Sequence, residues 1–291
     1  MCSLCAKAEG GGGMSLPEVT RENYFSPEIQ MAYMSASQFK AFDRCEAAAL
    51  AELRGEWPSK ESTALLVGSY VDAAFSQEMD TFRAEHPGLF KRDGTLKSEF
   101  LRAEELIRRM EEDPLYTLLM RGEKQVIRTG TIAGVPFKIK IDSLLNAEIC
   151  REIVRQFPET QTALGFCDGA IVDQKVMRDT EDIWDPETHC RVPFAVRWGY
   201  DLQGAIYQAI EGHLLPFILA VGTKEDPPGL EALYIPDGDL AAKLAEVEDR
   251  APRYQAIKGG REAPKRCGNC PYCRATRALH TILDYREVGT W

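Results

Sequence analysis

Histidine is scarce in this chain: there are four in 291 residues, and none stands in an H-x-x-H or H-E-x-x-H pair. A histidine-built metal site is therefore not expected. There is no G-x-x-x-x-G-K-[ST] segment, so the chain encodes no nucleotide-driven motor, and any such work must come from a partner. No apolar run approaches the roughly 20 residues of a membrane span, and the start lacks the basic and apolar blocks of a secretory signal. The expectation is a cytoplasmic protein with no membrane partner. Positive charge is in deficit, with 35 basic against 45 acidic residues and a net charge of −10. That balance argues against nonspecific coating of duplex nucleic acid, a histone-like role and a membrane-surface role. An enzyme with a local basic groove, and carboxylates kept for metal ions, remains compatible with it.

The rest of the composition, 44% hydrophobic and 27% charged, is that of a globular protein able to bury a sizeable core. Residues 1–30 read as a flexible tail: Cys2 and Cys5 precede the run Gly10–Gly13, and Met14 is an alternative start. Residues 31–291 read as the folded body. Nine cysteines are many for a reducing compartment, and three of them fall in Cys267-Gly268-Asn269-Cys270-Pro271-Tyr272-Cys273. Such clustering points to a metal rather than to disulfides, with a fourth ligand from elsewhere. Pairing with Cys2 and Cys5 as a zinc-ribbon-like site and free thiols are the competing readings, although the glycine run makes those two poor rigid ligands. Cys150, Cys167 and Cys190 have no partner spacing and read as ordinary thiols.

Helical patterns come first. Ser35 or Ser37 caps a helix whose face carries Phe39, Phe42, Cys45 and Ala49, a second helix covers 62–78, and 98–122 suits a third. Strands are expected over 124–131 and 137–145, around 170–173, and over 217–221 and 230–235. Helices are expected over 198–213 and 239–250, with His213 as a C-terminal cap. This order predicts a mixed α/β fold, a central mixed sheet flanked by helices.

Asp142 lies near the end of one predicted strand and Asp173-Gln174-Lys175 at the end of another. Alternation puts Asp173 and Lys175 on one face. Two aspartates from adjacent strands with a lysine suit a hard divalent cation and the stabilisation of developing negative charge. An isolated D-x-K arises by chance on many surface strands; the ordered set is what carries information. Gln203 and Tyr207 follow on a helix at i, i+4, hence on one face. Lys138, Lys140, Arg178, Arg191 and Arg197 are candidates to line a groove for nucleic acid.

The chain thereby resembles the PD-(D/E)XK nuclease superfamily, in particular its RecB-like and phage RecE-like exonuclease branch. The resemblance rests on Gly134–Asp142, on Ile171-Val172-Asp173-Gln174-Lys175, on Tyr200–Gln208 with an intact Q-x-x-x-Y, and on Leu65–Asp72 upstream. It implies a restriction-endonuclease-like core and hydrolysis of phosphodiester bonds in DNA with Mg²⁺ or Mn²⁺. Asp142, Asp173 and the Gln174 carbonyl would be metal ligands and Lys175 the catalytic lysine. Gln203 and Tyr207 would orient the site or contact DNA. Many relatives carry a metal-binding histidine where this chain has Asp72, which can also bind a divalent metal. The Asp142–Asp173 interval is longer than usual and is expected to hold an inserted helix near the site, around 149–157. Relatives with an iron–sulfur cluster have one cysteine before the core and three after it, so Cys45 joins Cys267, Cys270 and Cys273, holding a [4Fe-4S] cluster or, alternatively, zinc. The implied role is processing of duplex ends for recombination, in a bacterium or a phage-infected host, with a single-strand annealing protein as partner. A nuclease-fold module that only binds DNA or protein is the alternative.

Overall fold

The computed structural model describes residues 16–58, 62–165, 167–186, 188–279 and 282. Cys2, Cys5, Gly10–Gly13 and Met14 lie outside the described residues. Strands β1 (Glu123–Ile132), β2 (Val135–Asn146), β3 (Gly169–Met177), β4 (Ile183–Asp185), β5 (Cys190–Val192), β6 (Phe217–Thr223) and β7 (Leu230–Ile235) form two sheets. The central one is five-stranded, in the order β1-β2-β3-β6-β7, and β4-β5 is a separate hairpin. Only β3 and β6 run parallel; their connection needs a crossover, and a helix supplies it. The β1–β2 hairpin turns at Ala133 and Gly134, both with positive φ, the backbone that a two-residue hairpin loop demands.

The principal helices are α1 (Ala36–Arg44), α2 (Glu46–Leu53), α3 (Thr63–Phe75), α4 (Ser98–Glu112), α5 (Ala147–Gln156), α6 (Tyr200–Glu211) and α7 (Asp237–Lys258). Two cores cover the two faces of the sheet. Phe39, Ile141, Ile206, Phe217, Leu219 and Tyr254 belong to one, built on α1, α6 and α7. Val71, Leu106, Ile153, Val172, Ile218 and Ala220 belong to the other, built on α3, α4 and α5. β6 supplies both in alternation and is buried along its whole length, as expected of a strand with helices on both sides. Gly204 lets α6 lie close on β6, since a Cβ there would stand 2.6 Å from the Phe217 ring.

Boundaries moved where local chemistry intervened. The helix expected over 98–122 is broken at Asp113-Pro114, where Asp113 caps a new turn, Pro114–Leu119. Gly212, not His213, caps α6 in the left-handed conformation; His213 instead meets Glu211 at 3.0 Å. α7 runs eight residues past its expected end, to Lys258, with Pro252 inside it. The inserted helix exists as α5, but it follows β2 at Asn146. It begins five residues after Asp142 and packs Ile149, Cys150 and Ile153 into the core with Val172; among the described residues no hydrogen bond or ion pair joins it to Asp142, Asp173 or Lys175. Of the 1–30 tail, the described part packs on the body: Tyr24 and Ile29 are buried, and the buried Lys138 donates to the Tyr24 carbonyl. Among the described residues no helix is long and apolar enough to cross a membrane.

Candidate active site and cysteine centre

The two aspartates reach one place because the β2–β3 ladder stops early. Pairing runs from Asn146↔Gly169 to Ser143↔Val172 and ends. The next position on each strand is Asp142 and Asp173. Beyond the ladder, the Gln174 backbone N–H donates to Asp142 Oδ2 at 2.9 Å, so a carboxylate does what a strand carbonyl would have done. Across on β1, Gln125 takes a left-handed backbone (φ +54°), and its amide stands 3.5 Å from Asp142 Oδ1.

Alternation along β3 sorts the remaining groups. Asp173 and Lys175 point with Ile171 toward α6, and Gln174 points with Val172 toward α3. Asp173 Oδ1 accepts a hydrogen bond from Gln203 Nε2 at 2.7 Å, whereas Gln174 Nε2 reaches Asp72 Oδ1 on α3 at 3.3 Å. Lys175 pairs with Asp173 Oδ2 and donates to the Gln174 carbonyl at 3.3 Å. Tyr207 donates to the Lys140 carbonyl at 3.0 Å. Its hydroxyl ties α6 to β2, so orientation, not contact with nucleic acid, is what its geometry provides.

Three carboxylates share this interior with one lysine. Burial, and then Asp142, pushes the Asp72 carboxyl up to about 8. Burial, and then Asp173, pushes Asp142 up to about 6. Burial disfavours the Lys175 charge, but Asp173 and Asp142 outweigh it and hold the ammonium above the ordinary lysine value. The buried Gln174 Oε1 receives no hydrogen bond, and Asp173 Oδ2 meets only the Lys175 ammonium. Hard oxygen donors, surplus negative charge and unfilled lone pairs fit a divalent cation. Among the described residues, only the four thiols below gather with all ligand atoms within 4.8 Å, so the carboxylates are more widely spread. A cation that keeps several of its waters, as Mg²⁺ does, suits that spread.

The second centre is tighter. Cys45 is the junction of α1 and α2, and Cys270 caps the last described helix, α8 (Pro271–Ala275), which contains Cys273. The four sulfurs of Cys45, Cys267, Cys270 and Cys273 lie within 4.8 Å of one another, with Cys45 and Cys273 3.6 Å apart and Cys267 and Cys273 3.9 Å apart. Burial raises the Cys267 thiol, but the amides of Cys270 and Asn269 outweigh it and bring the thiol down to about 6, whereas burial raises the thiols of Cys45 and Cys270. The tail is held there independently: the Glu46 carboxylate takes Arg253 at 2.7 and 2.8 Å and the Lys265 amide at 2.6 Å.

Other expectations resolve differently. Lys138 is 1% exposed and spends its ammonium on the Tyr24 carbonyl. Arg178 pairs with Asp179, and Arg191 donates to the Asp182 carbonyl. Cys150 and Cys167 are not isolated: a mutual hydrogen bond, before any effect of burial, drives the Cys150 thiol up and Cys167 down to about 7. Lys40 and Tyr200 were not assigned a place at the site from sequence, yet both border it. The Lys40 and Lys175 ammoniums stand 5.4 and 5.3 Å from the Tyr200 ring centre. Lys40 carries no motif; Tyr200 opens the Q-x-x-x-Y segment, and that proximity was its only signal.

The PDDEXK-like domain of unknown function DUF3799 matches residues 35–152 and 165–276. The chain belongs to this family. The DUF3799 match omits 153–164, the end of α5 and the short turns after it. The chain is also similar to a "putative exonuclease" from Eubacterium rectale of known crystal structure. The two are 36% identical over 95% of this chain and 99% of the other, with a TM-score of 0.81. No curated protein matches the sequence. A five-stranded mixed sheet flanked by helices, with the aspartates and lysine at its split, is thus a PD-(D/E)XK nuclease fold.

Proposed function

We propose that this DUF3799 chain is a metal-dependent deoxyribonuclease of the RecB-like and RecE-like branch, an exonuclease, with residues 31–291 acting as one catalytic domain. The observation that carries the proposal is the meeting of Asp142, Asp173 and Lys175 where β2 and β3 part, with Gln203 holding Asp173 Oδ1 at 2.7 Å. Asp142, Asp173 and the Gln174 carbonyl would hold Mg²⁺ or Mn²⁺, with Asp72 beside them. The bound ion supplies Lewis-acid polarisation of the phosphate and a water of lowered pKa. Lys175, kept cationic by Asp173, stabilises charge developing on the phosphate oxygens. Gln203 and Tyr207 are positioning residues: one fixes the carboxylate, the other the β2 backbone. The similarity to the Eubacterium rectale protein supports the exonuclease reading. Processing of DNA ends for recombination, beside a single-strand annealing protein in a bacterium or phage-infected host, is the setting we propose.

At the cysteines we propose a single tetrahedral ion. Thiolates about 2.3 Å from one zinc ion stand about 3.8 Å from each other, and the observed pairs are 3.6 and 3.9 Å apart. A [4Fe-4S] cluster places each cysteine on a different iron and spaces the sulfurs more widely. The spacing therefore favours zinc; its role is structural.

The test incubates linear and closed circular duplex DNA with Mg²⁺, Mn²⁺ or EDTA, beside Lys175→Ala. Metal-dependent loss of linear DNA alone, absent in the variant, is the expected result. Cleavage of closed circles would make the enzyme an endonuclease, and no cleavage by metal-loaded protein would leave a binding module. Elemental analysis with a visible spectrum of anaerobically purified protein decides the cysteine metal.

A further inference from the structure

We infer that the junction between α1 and the start of α6 is a binding subsite for an unpaired nucleotide of the strand being cut, with Lys40 taking the phosphate and Trp198 the base. The inference rests on the nuclease reading above.

The chain is acidic overall, yet this junction gathers cations, and its own carboxylates, Asp43 and Asp201, face Arg250 and Lys243 instead. Among the described residues, Lys40, Arg44 and Arg197 make no ion pair with any carboxylate, whereas Arg178, Arg250 and Arg253 all do. Lys40 and Arg44 share a face of α1 at i, i+4, and Arg197 ends the turn Phe194–Arg197 that leads into α6. The Lys40 ammonium has one neutral partner, the Trp198 carbonyl at 3.3 Å, which leaves further donors for a phosphate. Its stem is seated by Gly199, where any Cβ would lie 2.9 Å from Lys40 Cδ and where φ is +64°. The position of the ammonium is thus built into the fold.

The aromatic part is as specific. The Lys40 and Lys175 ammoniums both stand over the Tyr200 ring, so the junction borders the lysine that faces the carboxylates. Trp198, two residues earlier, is 53% exposed, and Val196 is 46% exposed. Trp198 is also the residue whose backbone carbonyl takes the Lys40 ammonium, so its exposed indole offers a stacking platform next to an unpaired cation, the combination that binds single strands without regard to sequence. A base inside a duplex offers no free face for it, so the occupant is an unpaired nucleotide.

The two halves of the subsite predict different signatures in the full-length chain. Binding of a fluorescent single-stranded oligodeoxynucleotide is measured by anisotropy with Ca²⁺, between about 50 and about 200 mM salt, and cleavage with Mg²⁺. Lys40→Ala should flatten the plot of log affinity against log salt by about 0.7, the share of one phosphate on a single strand, and raise KM more than it lowers kcat. Lys40→Arg should restore the slope. Trp198→Ala should weaken binding about tenfold at every salt concentration with the slope unchanged, and a blunt duplex should show no such loss. Melting temperatures of the variants should match the wild type. A wild-type slope and KM in Lys40→Ala, or wild-type affinity in Trp198→Ala, would overturn the subsite while leaving an active wild-type enzyme in place. The expected binding effects in a chain that never cleaves DNA would instead overturn the nuclease and keep the subsite. A chain that neither binds nor cleaves would refute both.

Discussion

The carboxylate site and the cysteine centre are both gathered from distant parts of the chain, but they are held in opposite ways. At the cysteines the ligand atoms already lie within 4.8 Å of each other. They are reinforced from outside by the Glu46–Arg253 pair and the Lys265 amide. At the carboxylates the ligands are spread, carry surplus negative charge and leave the buried Gln174 Oε1 without a hydrogen bond. A pre-gathered soft site serves to join α2 to the tail. Crowded buried carboxylates are disfavoured without a counter-ion, as expected of the metal site proposed above.

The comparison breaks first at the chemistry. Asp173→Ala and Lys175→Ala should each lower Mg²⁺-dependent cleavage by at least about a thousandfold. Both should keep the wild-type circular dichroism spectrum, since neither residue joins the cysteine clamp. Wild-type rates in either would put the chemistry elsewhere. Next, Cys45→Ser should do the reverse. Losing a cross-link that closes more than 200 residues costs about 5 kcal/mol, a fall in melting temperature of about 10 °C. Any residual folded protein should still bind Mg²⁺, and an unchanged melting curve would mean that the four thiols hold nothing.

Asp72→Asn sharpens the contrast. With its pKa raised to about 8 when folded, Asp72 binds more protons in the native state than in the unfolded one. Its contribution therefore falls as pH rises from about 4 to about 8 in metal-free protein. The substitution keeps an amide oxygen as acceptor for Gln174 and removes the charge, so the variant should melt higher than wild type at pH 8 without metal. It should also gain less from Mg²⁺. Equal gains in both proteins would show that Asp72 is not a ligand. The smallest effect is expected at the clamp. Burial would raise the Glu46 carboxyl, but Arg253 and the Lys265 amide outweigh it and hold it below the ordinary glutamate value. Its stabilisation is complete above that ordinary value and is lost as pH falls through the lower, folded one. Glu46→Gln should cost about 1–3 kcal/mol near neutral pH and should lose that acid-dependent step in a pH series of melts.

Much of this was legible in residue spacing. Asp173 and Lys175 share a face because strands alternate, and Gln203 and Tyr207 share one because helices repeat near 3.6; both follow from local geometry. Strand and helix order was likewise readable from periodicity, with the end of α4 at Pro114 and the cap at Gly212 as the local corrections. The burial of Lys138 was not legible, because a lysine on a strand says nothing of a tail that will fold back and offer it the Tyr24 carbonyl. The same holds for the Cys150–Cys167 contact, made by the insertion between β2 and β3.

The sequence by itself determined the fold class and the side of each element on which its candidate donors stand, since these depend on residue type and local repeat; Cys45 and Asp72 entered only through the family resemblance. Tertiary structure alone decided where the β2–β3 ladder ends, which cations lack a carboxylate, and how closely four sulfurs approach. Those are distances between segments as far apart as Cys45 and Cys273, and only packing of the whole chain sets them.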